Sequence, residues 1–239
     1  MVSVVQCILF TLIIILFSVV YPISGYHQKK KLVRKNTRIP NSKVSWYKES
    51  MIWAWAPTLF ILVVTLLCGF KLRDLGIKPV DLSSSSLSNW IVYSSIIIFF
   101  IYLGYNVYSI IVLKYSKESR QHSLKQLPED IIALLPVTKN EKRTWTCVAI
   151  TAGVSEEIQY RGYLFFAIPF LSPQISVWLV LTISTLLFGI GHIYQGKSAI
   201  KPTIAGLLFG FMYIVFDSII PIIILHIVQD LVVRDLLDN

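Results

Sequence analysis

Long apolar runs alternate along the chain with short polar interruptions, on a scale set by a bilayer and not by a soluble core. A hydrocarbon layer asks for about 20 apolar residues per helical crossing. Val2–Tyr21 meets that length without one charge and predicts a first membrane helix. A cleaved secretory signal would want a basic n-region and a small-residue cleavage site, and neither is evident. Met51–Phe70 predicts a second span, with Trp53 and Trp55 suited to the headgroup level, and Trp90–Leu113 a third. Trp145–Ile168 predicts a fourth, ended by Pro169 and Pro173 because proline cannot continue the helical ladder. Ile175–Tyr194 is a fifth. Thr203–Phe216 and Ile219–Val233, parted by Asp217 and Ser218, are each shorter than a crossing. They read as two short spans or as a hairpin sheltered by the bundle. Leu127–Leu135 could form a short interfacial helix. The pattern predicts an all-α polytopic membrane helix bundle of about seven transmembrane helices (six to eight). Residues 1–143 would carry the N-terminal spans and cytoplasmic loops, and residues 144–239 the helical core that holds the chemistry, in one membrane domain without internal repeats.

Composition agrees with the pattern. Of 239 residues 55% are hydrophobic and 15% charged, with a mean hydropathy of +0.66, against roughly 25% charged in a soluble domain. The net charge of +9 is concentrated in two places. Lys29, Lys30, Lys31, Arg34, Lys35, Arg38, Lys43 and Lys48 share one loop, and seven more basic residues lie between Lys114 and Arg143. Basic runs between apolar spans mark cytoplasmic loops facing anionic headgroups, which puts the N-terminus outside. No soluble binding module accompanies the charge, so nucleic acid is not an expected partner. Cys7, Cys68 and Cys147 are odd in number and scattered, with no sign of a disulfide framework or a thiolate metal site.

The chemistry concentrates on residues 153–168, GVSEEIQYRGYLFFAI, where Glu156, Glu157 and Arg161 interrupt an apolar helix. Ionisable groups at bilayer depth cost several kcal/mol or about that order unless paired or set in a wet cavity, which makes them functional candidates. Glu157 and Arg161 are four apart and share a helix face, so they can form a brace. Glu156 lies about 100° round the helix and has no basic partner at three or four residues. An unpaired carboxylate in a low-dielectric cavity suits a general base acting on water. Downstream, His192 follows Gly189 and Gly191, and His226 stands four residues before Asp230, an acid placed to orient the imidazole or to share a ligand with it. Rises of about 1.5 Å per residue put Glu156 roughly 20 Å below the cytoplasmic edge and His226 about 12 Å from the opposite one, at nearly one level. His192 comes out shallower, roughly 5 Å deep if its helix starts at Ile175 without tilt. Taken singly, either histidine reads as a helix–helix hydrogen bond and Asp230 as the polar end of the last helix. A buried Glu–Glu–Arg set could likewise be a structural ion-pair network. Their combination on three apolar segments is what points to a site.

Three of these groups also carry a family resemblance. Glu156 to Arg161, EEIQYR, resembles the EExxxR motif of the CPBP intramembrane proteases, the Abi or CAAX-protease and bacteriocin-processing family. Phe188 to His192 is similar to its FxxxH motif, and His226 to Asp230 to its Hxxx(N/D) motif. Gly206, Gly210, Tyr213 and the stretch Ser218–Pro221 resemble the usual lead-in to the last motif, so that the likeness spans about residues 145–233. It implies a bundle of eight or fewer helices and a membrane endopeptidase acting on a membrane-associated peptide or protein, prenylated or not. By position, Glu156 would activate water with help from His192. His226 and Asp230 would stabilise the oxyanion, and Glu157 and Arg161 would hold the site in shape. Many family members carry Asn where this chain has Asp230, and an ionised carboxylate cannot donate to an oxyanion. Asp230 would then be protonated, orient His226, or bind a metal. Glu156, His192 and His226 would form the ligand set if a divalent metal such as zinc were present. Without an HExxH motif, glutamate-driven hydrolysis with no cofactor is the expectation. The expected setting is a multi-pass protein of the plasma membrane whose cavity opens to the cytoplasm. A non-catalytic membrane protein such as a bacteriocin immunity factor is the alternative, and would keep its phenotype when His192 and His226 are replaced by alanine. A proton-coupled transporter would show repeated halves, and none is visible.

Overall fold

Among the described residues, the apolar runs long enough to cross a bilayer are helical, as they must be where no water can satisfy backbone N–H and C=O groups. The computed structural model describes residues 4–20, 22–27, 42–83 and 87–238. Helix α1 (Val4–Ile15) continues through a π turn at Leu16–Val20, and α2 (Ser42–Leu67) and α3 (Asn89–Tyr115) follow. Two short helices, α4 (Lys117–Lys125) and α5 (Glu129–Ile132), occupy the polar stretch before α6 (Lys139–Glu157). Then come α7 (Leu164–Leu171), α8 (Val177–Gly191), α9 (Ile200–Phe216) and α10 (Ile220–Leu231). Val4–His27, Lys43–Leu67, Asn89–Tyr115 and Ile193–Phe216 are long and apolar enough to cross a membrane. Shorter apolar helices complete the set, and no strand occurs among the described residues. The fold is an all-α membrane helix bundle. Most of the first basic loop falls on residues 28–41, outside the described residues.

Among the boundaries that differ from the sequence expectation, two lie in the half of the chain that carries the candidate site. Pro169 does not end the fourth span: it sits inside α7, and the helix closes only after Leu171. The segment expected to begin at Thr203 starts at Ile200 and is preceded by a 3-10 stretch, Ile193–Ala199, which brings it to membrane length.

The bundle is centred on α6, which packs most extensively on α10 and α2. Gly153 makes the first of these contacts possible. A Cβ there would meet Ile227 Cγ1 at 2.5 Å, Ile227 N at 3.1 Å and Ile223 O at 3.3 Å, so only glycine lets the two helices approach this closely. Gly206 and Gly210 serve α9 in the same way, one against Phe188 and the other against Leu181, both on α8.

Candidate active site

The α6 rod is started by a capping box. Thr138 Oγ1 accepts from the Glu141 amide, and Glu141 Oε2 accepts from the Thr138 amide at 3.0 Å. Nineteen residues later the helix reaches Glu157 and widens into a π turn, Ile158–Tyr163, before resuming as α7. All six residues of that turn are buried. Widened turns of this kind leave main-chain groups in need of partners and recur at functional sites. Here Ser184 Oγ donates to the Tyr160 carbonyl at 2.7 Å. Gln159 Nε2 donates to the Ala54 carbonyl at 3.1 Å and to Thr58 Oγ1 at 2.8 Å, fastening the turn to α2.

Glu157 and Arg161, spaced for pairing, do pair. Arg161 Nη1 donates to Glu157 Oε1 at 3.0 Å, and both side chains are wholly buried. Arg161 Nη2 donates to the Gly206 carbonyl at 3.0 Å, and the guanidinium carbon lies 4.4 Å from the centroid of Phe188. The same Glu157 oxygen lies 2.7 Å from His226 Nδ1. A carboxylate paired with Arg161 can only accept, so Nδ1 is the donor. Glu157 thus ties α6, the π turn and α10 together. The sequence had linked His226 to Asp230. In the structure Glu157 makes the imidazole's short contact, while Asp230 Oδ2 stands 3.8 Å from Nε2.

Glu156 faces another way. Its Oε2 has no hydrogen-bond partner although it is shielded from solvent, and it lies 3.8 Å from His226 Nε2 and 3.9 Å from His192 Nε2. His192 Nδ1 lies 2.8 Å from the Phe188 carbonyl, an acceptor, so that ring too donates through Nδ1 and turns Nε2 to Glu156. His192 caps the C-terminal end of α8 and lies beside Glu156, a proximity that counting residues along one segment cannot supply because it depends on how the helices pack. A cavity of about 500 Å³ reaches these groups, and Glu156, His192, His226, Gln229 and Asp230 line it.

Glu156 Oε2 and the two imidazole Nε2 atoms that lie 3.8–3.9 Å from it can share a water molecule. They fit a metal less well. Tetrahedral zinc with bonds of 2.0–2.1 Å sets its ligand atoms about 3.3 Å apart, and among the described residues no group of three His, Cys, Asp or Glu is arranged to hold a metal ion. The sequence reading missed the partners of Gln159, the Trp145 indole that donates to the Asp230 carbonyl at 3.0 Å, and the pair Tyr102–Gln229. A glutamine inside an apolar run is a signal for the first. Nothing in the sequence marks the other two.

Residues 140–232 match the family model described as type II CAAX prenyl endopeptidase Rce1-like. The matched segment contains all three motifs, α6 to α10, and stops short of the N-terminal helices. No curated protein and no solved structure matches the chain. The match supports a CAAX-type intramembrane endopeptidase in general terms, hence a protease and an integral membrane protein.

Proposed function

We propose that this chain is a CAAX-type membrane protease that hydrolyses a peptide bond of a membrane-associated peptide or protein, prenylated or not, with Glu156 as the general base. The observation that carries the reading is the convergence of Glu156, His192 and His226 from three elements on one cavity. A water held between Glu156 Oε2 and the His192 and His226 Nε2 atoms gives a proton to Glu156 as its oxygen bonds to the scissile carbonyl carbon. The carbonyl π pair moves onto oxygen. His226 stabilises that oxyanion through Nε2–H, which it carries only as an imidazolium because its Nδ1–H is given to Glu157. Collapse breaks the C–N bond, and the proton returns from Glu156 to the leaving nitrogen, with His192 placed to relay it. One water is consumed and no cofactor is required. Asp230 orients His226 and balances its charge. Glu157 and Arg161 hold the imidazole in place.

The cavity's wall includes Leu127, Ile131, Leu134 and Leu135, all within the basic stretch that the charge rule assigns to the cytoplasm. This supports an opening on the cytoplasmic side of the membrane. The test is cleavage of an internally quenched farnesyl-cysteine peptide ending in a CaaX sequence by purified protein in phospholipid vesicles. Glu156→Ala is expected to abolish turnover, and undiminished cleavage by that variant removes the reading.

A further inference from the structure

We infer that the side-chain amide of Gln229 donates a second hydrogen bond to the oxyanion and that the Tyr102 hydroxyl holds this amide in position. The inference rests on the hydrolytic reading above. Around His226 the site is rich in acceptors, and several of the donors near it are already committed. Glu156 and Asp230 are carboxylates, His226 Nδ1 is committed to Glu157, and the Trp145 indole is committed to the Asp230 carbonyl. Gln195 Nε2 is likewise spent on Tyr194 Oη. Yet a tetrahedral intermediate needs donors aimed at its developing charge.

Gln229 meets that need. One face of α10 presents His226, Gln229 and Asp230 to the cavity, all three lining it. From α3, Tyr102 Oη donates to Gln229 Oε1 at 2.7 Å. With the oxygen end fastened, Nε2 and its two protons form the other end of a fixed amide plane, and Nε2 makes no hydrogen bond to the protein among the described residues. Asp230 can only accept when ionised, so the neighbouring amide is the group with the required chemistry. Gln229 touches the reacting oxygen in this account. Tyr102 acts through it and is a positioning residue.

The experiment uses the full chain in vesicles and the same quenched farnesylated peptide. Gln229→Ala and the isosteric Gln229→Glu are expected to lower kcat by about 10²-fold with KM within about two-fold, the signature of a contact made in the transition state. Asp230→Asn installs an amide one residue away and is expected to return at least about ten-fold of the kcat lost in Gln229→Ala. Tyr102→Phe is expected to lower kcat by about ten-fold alone and to add nothing on top of Gln229→Ala, since both act on one hydrogen bond. Thermal melts of each variant separate misfolding from chemistry, and Gln229→Glu and Tyr102→Phe preserve shape. A kcat within about three-fold of the parent for a folded Gln229→Ala, a loss confined to KM, or additive Tyr102 and Gln229 effects would each overturn the inference. Glu156→Ala, run alongside, keeps the two readings apart. If it still cleaves, the hydrolase reading fails. If it is dead while Gln229→Ala is unaffected, only the role of Gln229 fails.

Discussion

Replacing Arg161 with methionine puts the buried brace to a quantitative test. The guanidinium is fully buried, donates to Glu157 and to the Gly206 carbonyl at 3.0 Å each, and sits 4.4 Å above Phe188. Breaking one side of a buried ion pair costs about 3–5 kcal/mol. A charge-assisted hydrogen bond is worth about 1.5–3 kcal/mol, and a desolvated cation–π contact about 2 kcal/mol. These share one side chain and do not add. His226 Nδ1–H also stays with Glu157, which limits the damage, so a net loss of about 4 kcal/mol is the expectation. At about 2–4 °C per kcal/mol for a chain of this size, Arg161→Met should lower Tm by roughly 8–16 °C. Tryptophan fluorescence of the purified protein on heating reads this directly. The double variant Arg161→Met/Glu157→Gln leaves no unpaired buried charge, and its amide oxygen can still accept from His226. It should recover at least half of the lost Tm without recovering activity. A Tm within about 2 °C of the parent for Arg161→Met, or a double variant no better than the single, would show that the buried pair is not a stabilising brace.

Three further outcomes follow from the same geometry. Gly153→Ala should push α10 away from α6, because the new Cβ meets the backbone of Ile223 and Ile227; the resulting shift of His226 from Glu156 should cut kcat/KM by about 10²-fold in the vesicle assay while the protein stays helical by circular dichroism. Chelators such as EDTA and 1,10-phenanthroline should leave cleavage intact, whereas chelator-sensitive activity restored by zinc would replace the metal-free reading with one in which Glu156, His192 and His226 are ligands. Lys78 and Asp217 form a partly exposed ion pair, so Asp217→Gly should cost little: the pair contributes about 1 kcal/mol at most, and glycine relieves the positive φ of 48° at that helix end, leaving Tm within about 3 °C of the parent.

Hydrophobic run length was enough to place the spans, because a bilayer turns apolar stretches into helices with little tertiary negotiation. Trp90–Leu113 lies inside α3, and the α2 span was found with its start about two turns late, since Ser42–Ser50 is polar and reads as loop. Helical spacing likewise foretold the contact between Glu157 and Arg161. It could not foretell the π turn at Ile158–Tyr163, since one extra residue per turn leaves no mark in an apolar pattern. Nor could it assign His226 to Glu157. That bond joins residues 69 positions apart and depends on how closely Gly153 lets two helices meet, a packing property of the pair. The position of His192 beside Glu156 escapes the sequence for a related reason: it is set by the packing of the bundle and not by the segment.

Whether Glu156 drives peptide hydrolysis can be tested without knowing the substrate. Membrane peptides from cells carrying the parent chain, Glu156→Ala, or the surface control Glu118→Ala would be compared by mass spectrometry. The account predicts at least one cleavage fragment that is present with the parent and with Glu118→Ala and absent with Glu156→Ala. Identical fragment sets from the parent and Glu156→Ala would contradict it.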